Sequence, residues 1–206
     1  PSRPTNAPTT LDVGQIAEFA AAGPFVVRSQ DDHHPFYVSA HMTGAGQYDP
    51  HPTGLGGAQD GRGDPEFVNV IPPAQYLSSY VFFTDPTYPE TNLVVVRKKG
   101  QSGFSDVTLD CAGTLGGWQA IGSSGAYEYT RVDLVRHAFA PQGHCNNGLH
   151  RMQSASPFGL TVWGWGSAET GVTGDPGYSQ YVSYAYPAGA SVQAINNVVV
   201  PPPPPR

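Results

Sequence analysis

Apolar residues recur along this chain in short runs that alternate with polar positions, and each run is cut off by Gly, Pro, Asn, Asp or Ser. A two-residue period bounded by turn-formers is the pattern of strands with one buried face, not of helices. It predicts strands at 13–19, 25–29, 36–42, 67–71, 76–83, 92–98, 106–111, 118–121, 129–135, 149–154, 160–165, 181–186 and 192–200. A helix has room only at 15–22, where Ala propensity supports one or two turns, and Gly14, Gly23 and Pro24 confine it there. The stretch 44–65 holds seven glycines, three prolines and almost no apolar residue, which predicts a long exposed loop. The fold class that follows is all-β, an antiparallel β-sandwich of Greek-key or jelly-roll type. A β-propeller-like fragment is the alternative, suggested by a faint internal echo of Pro35 and Phe36 in Pro157 and Phe158, and of Gln75 and Tyr76 in Gln180 and Tyr181.

The two ends break the pattern. Residues 1–10 contain three prolines without apolar periodicity, and three valines, Val198 to Val200, run into five consecutive prolines before Arg206. Segments 1–10 and 201–206 therefore read as linkers, the second a stiff polyproline II spacer, around a single β-rich domain at 11–200. The chain opens on Pro1 where a primary translation product has Met, the form of a processed or truncated product.

Composition narrows the function. Only 13% of residues are charged, against about 25% in an ordinary globular domain, while 39% apolar residues supply enough burial to offset ordering. The net charge is −6, and the one basic run is Arg97, Lys98 and Lys99, so a phosphate-neutralising face is not expected and nucleic acid is an unsuitable partner. No apolar run reaches the roughly 20 residues that span a bilayer.

Candidate chemistry is sparse. Cys111 and Cys145 are the only cysteines, and neither has zinc-finger spacing. They form either a disulfide, the state expected outside the cell, or two buried thiols, with His144 beside Cys145 leaving a reactive thiol as a third reading. Asp31, Asp32, His33 and His34, with His41 and His51 beyond, gather carboxylates and imidazoles. Calcium or another metal is one reading of this group, and a solvated hairpin turn is the other. The turn at 173–177 carries the same pair of readings around Asp175. Arg62, Gly63 and Asp64 spell an integrin-type tripeptide, although Asp64 before Pro65 also suits a strand-entry turn. No Gly-x-Ser-x-Gly elbow and no phosphate-cradling Gly-Lys-Ser/Thr loop occurs. Glu128 and Asp133 lie five residues apart on one predicted strand, an odd spacing that sends them to opposite faces and away from a shared glycosidase-type site. Trp163 and Trp165 share one side of a strand, with Tyr181, Tyr184 and Tyr186 soon after. Such aromatics either stack on sugar rings or fill the core.

One stretch carries a family signature. Gly63, Asp64, Pro65, Glu66 and Phe67, then Pro72, Pro73, Ala74, Gln75 and Tyr76, then Tyr80, Val81 and Phe82 together resemble the IgGFc-binding protein N-terminal domain family. Asn92 to Val96 with Val107, Leu109 and Asp110, then Pro157, Phe158 and Gly159, and finally Tyr184, Ala185, Tyr186 and Pro187 extend the resemblance over roughly residues 12–200. The Gly/His-rich loop at 44–62 and the pair Trp163 and Trp165 depart from the family pattern. The resemblance implies a secreted or surface-anchored mosaic protein, bacterial or animal, with no catalytic residues to carry over.

Three functions remain open in order. The first is a non-catalytic extracellular adhesion or recognition module for a glycan or protein. The second is a structural subunit of a surface filament or layer, self-associating through an unpaired edge strand such as 192–200. The third is a secreted carbohydrate-active enzyme, which needs two convergent carboxylates.

Overall fold

The computed structural model describes residues 3–42, 44, 63–167, 170 and 179–198. Eleven strands form within them: β1 (Ser39–Met42), β2 (Glu66–Asn69), β3 (Leu77–Thr84), β4 (Glu90–Lys98), β5 (Val107–Leu109), β6 (Gly113–Thr114), β7 (Gln119–Ile121), β8 (Tyr127–Arg136), β9 (Ala140–Pro141), β10 (Gly148–Trp165) and β11 (Ser183–Pro187). β1 and β2 pair as a separate two-stranded sheet, and the other nine make one antiparallel sheet. A 3-10 turn at Pro73–Gln75 leads into β3, with Pro at its first position where a backbone N–H is not needed.

β10 organises the whole. It is 18 residues long, and its first half pairs with β3 on one side and β5 on the other. Its second half pairs with β11 and β4 instead, with a register break between Gln153 and Phe158. Ser154 to Pro157 supply that irregularity, because Pro157 has no N–H to give a ladder. The strand thereby changes layer, and the sheet folds over on itself into a sandwich, as strands do at bulged corners. One layer is β3, the first half of β10, β5 and β6, and the other is β11, the second half of β10, β4, β8, β7 and β9.

The core lies between the layers. Tyr80, Phe82, Val107, Leu109 and Met152 from the first meet Leu93, Val95, Leu134, Leu160 and Val162 from the second. Two tyrosine rings close over backbone that has no side chain. A Cβ on Gly164 would lie 2.1 Å from Cε1 of Tyr184, and one on Gly159 would lie 2.5 Å from the ring of Tyr76, so Gly is required at both positions. Hydroxyls then fasten layer to layer. Tyr184 accepts from the N–H of Asp85 at 3.1 Å, and Tyr80 donates to the Phe158 carbonyl at 2.5 Å. Burial pushes the Tyr184 hydroxyl pKa up to about 12, so it stays protonated.

Several expected strands change. The expected strands 149–154 and 160–165 are one continuous strand, joined through the irregular segment. The expected strands at 13–19 and 25–29 and the described part of 192–200 are not strands, nor does a helix form at 15–22. Val13, Ile16 and Val192 are almost fully exposed, Phe19 and Phe25 are partly buried with their rings 5.5 Å apart, and these segments join no ladder among the described residues, without which strand propensity has nothing to pair with. The segment around residues 21–24 instead lies across Val94, Val96, Tyr129 and Arg131 on the outside of the second layer. The loop 45–62, the turn at 173–177, the last prolines, Val199 and Val200 lie outside the described residues.

Candidate functional site

Among the described residues, the β1–β2 hairpin carries exposed aromatic rings on one organised face. Its register sets His41 opposite Phe67 and Ser39 opposite Asn69, so these four side chains share one face. Ala40 and Val68 take the other face, and Val68 is buried. The His41 and Phe67 rings stack at 5.6 Å and 23°. Nε2 of His41 is 2.8 Å from the Ser39 hydroxyl, and the hydroxyl of Tyr37 donates to Oδ1 of Asn69. Phe67 is nonetheless 56% exposed and Tyr37 69% exposed. Rings held in place by polar partners, with their faces open, can dock a surface at small entropic cost. The hairpin is anchored at its base. The N–H of Gly63 donates to the Gly166 carbonyl at 2.8 Å, and the Ser183 hydroxyl donates to the Asp64 carboxylate at 2.6 Å. Gly63 and Asp64 of the integrin-type tripeptide are therefore engaged with β11 and its approach, while Arg62 is outside the described residues. Sequence reading placed His41 in a metal group and Phe67 in a strand, and the alternation of 39, 41 and 67, 69 was the signal that joins them.

The predicted aromatic group divides between two faces. Trp163 lies opposite Ala185 and Asn92, and Trp165 opposite Ser183 and Glu90, on the outside of the second layer. Tyr184 and Tyr186 lie opposite Gly164 and Val162 and point into the core. Trp163, Trp165 and Tyr181 are half-buried, and the buried indole Nε1 of Trp165 has no hydrogen-bond partner among the described residues. The tryptophans thus form one surface and Tyr184 belongs to the packing between layers.

Asp31, Asp32, His33 and His34 sit in an exposed turn. Nδ1 of His34 is 2.6 Å from Oδ1 of Asp31, which also accepts the N–H of His33 at 2.9 Å. The hydrogen bond from His34 holds the Asp31 carboxyl below its usual range, against a smaller opposing effect of desolvation. Asp32 receives the side-chain amide of Asn197, which ties this turn to the chain after β11. His51 lies outside the described residues.

Cys111 and Cys145 form a disulfide, with Cα atoms 4.9 Å apart. Next to it stands a pair that sequence reading missed. His150 is buried, with Nδ1 3.0 Å from Oδ1 of Asp110 and Nε2 2.7 Å from the carbonyl of Asn146. Asp110 precedes Cys111 and Asn146 follows Cys145, so one imidazole ties the two chain segments that the disulfide joins. Both ring nitrogens lie within hydrogen-bond distance of an oxygen. Desolvation works to raise the Asp110 pKa, but hydrogen bonds from His150 and the N–H of Arg151 prevail and lower it. Asp110, Cys111 and His150 are the one cluster of three metal-binding residue types among the described residues, and the disulfide already occupies its sulfur. A residue flanking each cysteine and a histidine five positions after the second was the available signal.

The carboxylates expected on opposite faces are so placed. Glu128 pairs with Arg97 at 2.8 Å, and that guanidinium stacks on Trp118 at 3.9 Å, whereas Asp133 accepts from Asn92 on the outer face. Among the described residues, no helix is long and apolar enough to cross a membrane.

No curated protein and no solved structure matches the chain. The family model described as IgGFc binding protein matches residues 1–164, ending within β10 one residue before its last, so that β11 lies beyond the match. Spanning the β1–β2 hairpin, the disulfide and nearly all of the strand that joins the two layers, that match shows that this chain belongs to the IgGFc-binding protein family.

Proposed function

We propose that this chain is a non-catalytic recognition module of a secreted or cell-surface protein, and that it grips a protein partner through the open face of the β1–β2 hairpin. The observation that carries the reading is the exposure of Tyr37 and Phe67 while their neighbours Asn69, His41 and Ser39 fix the surface around them. Exposed aromatic rings with neighbouring polar groups are what binding hot spots are made of. Family membership supports binding as the activity, and the Cys111–Cys145 disulfide supports an oxidising compartment. Touching without covalent chemistry also fits the placement of Glu128 and Asp133 on opposite faces. The test is surface-immobilised binding of the 206-residue chain to immunoglobulin Fc, the partner in the family's description, and to a panel of extracellular proteins. Phe67→Ala and Tyr37→Ala should each weaken the interaction by about tenfold or more. Affinity unchanged in both variants would discard the hairpin.

A glycan is the second reading, favoured by Trp163 and Trp165, which stand on one outer surface with polar Asn92 and Ser183 as cross-strand neighbours. A glycan array probed with wild type, Trp163→Ala and Trp165→Ala separates the two readings. Sugar binding that disappears in the tryptophan variants and persists in Phe67→Ala assigns the ligand to that surface.

A further inference from the structure

We propose that the free edge of β3 is a self-pairing edge, by which two copies of this chain join their sheets antiparallel about Val81. This surface is separate from the hairpin and stands whether or not the hairpin binds a partner.

The direction of the backbone groups follows from their bonds. In β10 the carbonyl of Arg151 accepts from Asp110, and the N–H of Arg151 donates to the Asp110 carboxylate, so the odd-numbered residues of this half aim their backbone at β5. The even residues His150 and Met152 therefore aim theirs at β3, where they face Phe82 and Tyr80. Ser79, Val81 and Phe83 are left pointing away from the sheet. β3 pairs with β10 alone among the described strands, and all three of these residues are exposed.

One end of that edge is closed by tyrosine hydroxyls: Tyr184 accepts from the N–H of Asp85, and Tyr186 donates to the carbonyl of Phe83. At the other end Leu77 is held on β10, where the Tyr80 hydroxyl accepts its N–H and donates to the Phe158 carbonyl. Between Leu77 and Asp85 the outward residues are Ser79, Val81 and Phe83, and Val81 is their centre. In a two-fold antiparallel pair, Val81 meets Val81 of the other copy and exchanges both backbone bonds with it, and Ser79 meets Phe83. The Phe83 carbonyl keeps a lone pair for the Ser79 N–H after accepting Tyr186.

The side chains suit a second copy. β3 reads Leu-Ser-Ser-Tyr-Val-Phe-Phe-Thr, without the Lys, Pro or inward charge that protects edges from one another. In this register Asp85 falls opposite Leu77, so no like charges oppose each other across the seam. Val81 (58% exposed) and Phe83 (55%) line the outer surface with Leu149 (63%), which pairs with Phe83 on β10. Joining two copies makes one apolar stripe from the two short ones.

Sedimentation equilibrium of the whole chain over a wide concentration range should show a monomer–dimer equilibrium. Each copy carries a net charge of −6, so added salt should tighten the dimer. Val81→Lys should raise the dimer dissociation constant by about tenfold or more while leaving the circular dichroism spectrum unchanged. Register is tested by cysteines, since both native ones are in the disulfide. Val81→Cys should crosslink to itself on mild oxidation, because hydrogen-bonded antiparallel pairs hold Cα atoms about 5.5 Å apart, within disulfide reach. Ser79→Cys and Phe83→Cys should each stay uncrosslinked alone and crosslink when mixed. A chain that is monomeric at every concentration, or single variants at 79 and 83 that crosslink as readily as the one at 81, overturns the proposal. Capture of an unrelated extended peptide along Val81 by a chain that stays monomeric overturns it as well.

Discussion

The two layers of this sandwich share a strand and differ in what covers them. Outside β4, β7 and β8, the segment around residues 21–24 lies over the sheet, and the first six residues of β4 are buried but for partly buried Val94. Outside β3 and the first half of β10, Val81, Phe83 and Leu149 face water. The covered layer has β4 and β8, of nine and ten residues, beside the short β7 and β9. The bare layer has β5 and β6, of three and two residues, and holds them with covalent and polar clasps: the disulfide, and His150 between Asp110 and Asn146. A half-covered sheet this narrow cannot draw enough from the hydrophobic effect alone, and a cross-link offsets the deficit by restricting the unfolded chain.

The strongest way to break that contrast is to remove the clasp. Cys111→Ser with Cys145→Ser opens a link across a separation of 34 residues and should lower stability by about 3–4 kcal/mol. Urea denaturation followed separately by hydrogen exchange in β5 and in β4 should show β5 losing protection first. Simultaneous loss in both layers would mean that the layers do not differ in what holds them.

The covered layer gives the next largest effect. Asn92 is buried on the outer face, and its amide donates to Oδ1 of Asp133 at 2.7 Å. Asn92→Ala removes that bond and leaves Asp133 with the guanidinium of Arg136 at 3.3 Å, and should cost about 1 kcal/mol, read as a shift of the urea midpoint. A midpoint within error of wild type would show that Arg136 and water satisfy Asp133 without the buried amide.

How much of this was legible differs from element to element. The alternation in β3 and the apolar run in β4 marked both as strands, but which of the two would be covered on its outer face was not readable from them, since polar Glu90 and Asn92 are buried in β4 while Val94 and Val96 are only partly so. The all-β sandwich followed from the same pattern, and the family from the motifs around 63–82 and 157–159. The N-terminal segment misled because Val13, Ile16, Val26 and Val27 have strand propensity, whereas strand formation needs a ladder partner and those residues remain exposed. The tryptophan and tyrosine group misled differently. Residues on two adjacent strands share a face only in the right register, and pairing Gly164 with Tyr184 sends Tyr184 inward and Trp163 outward. His150 was invisible because its partners are brought to it by the disulfide rather than by sequence spacing.

Acid should loosen the bare layer. The Asp110 carboxyl titrates below its ordinary value in the folded chain, so its stabilising contribution is complete above the unfolded value of about 3.9 and is lost as pH falls through the lower, folded one. The advantage of wild type over Asp110→Asn, measured as a difference in urea midpoint, should therefore be constant from neutral pH down to the ordinary carboxylate range and shrink below it. An advantage that grows on acidification would show that the His150 contact disfavours the charged carboxylate.

The smallest effect is the most telling for the comparison. Leu149 is a large apolar residue in the middle of an organised sheet, and by composition alone Leu149→Ser should be costly. It is 63% exposed, however, and its cross-strand neighbour Phe83 is 55% exposed, so little area leaves water when the chain folds. Stability measured in dilute solution should move by no more than about 0.5 kcal/mol. Burial, not residue type, then sets the cost, and a loss of several times that size would mean that Leu149 is packed under something in the free chain and that the face of β3 is already closed.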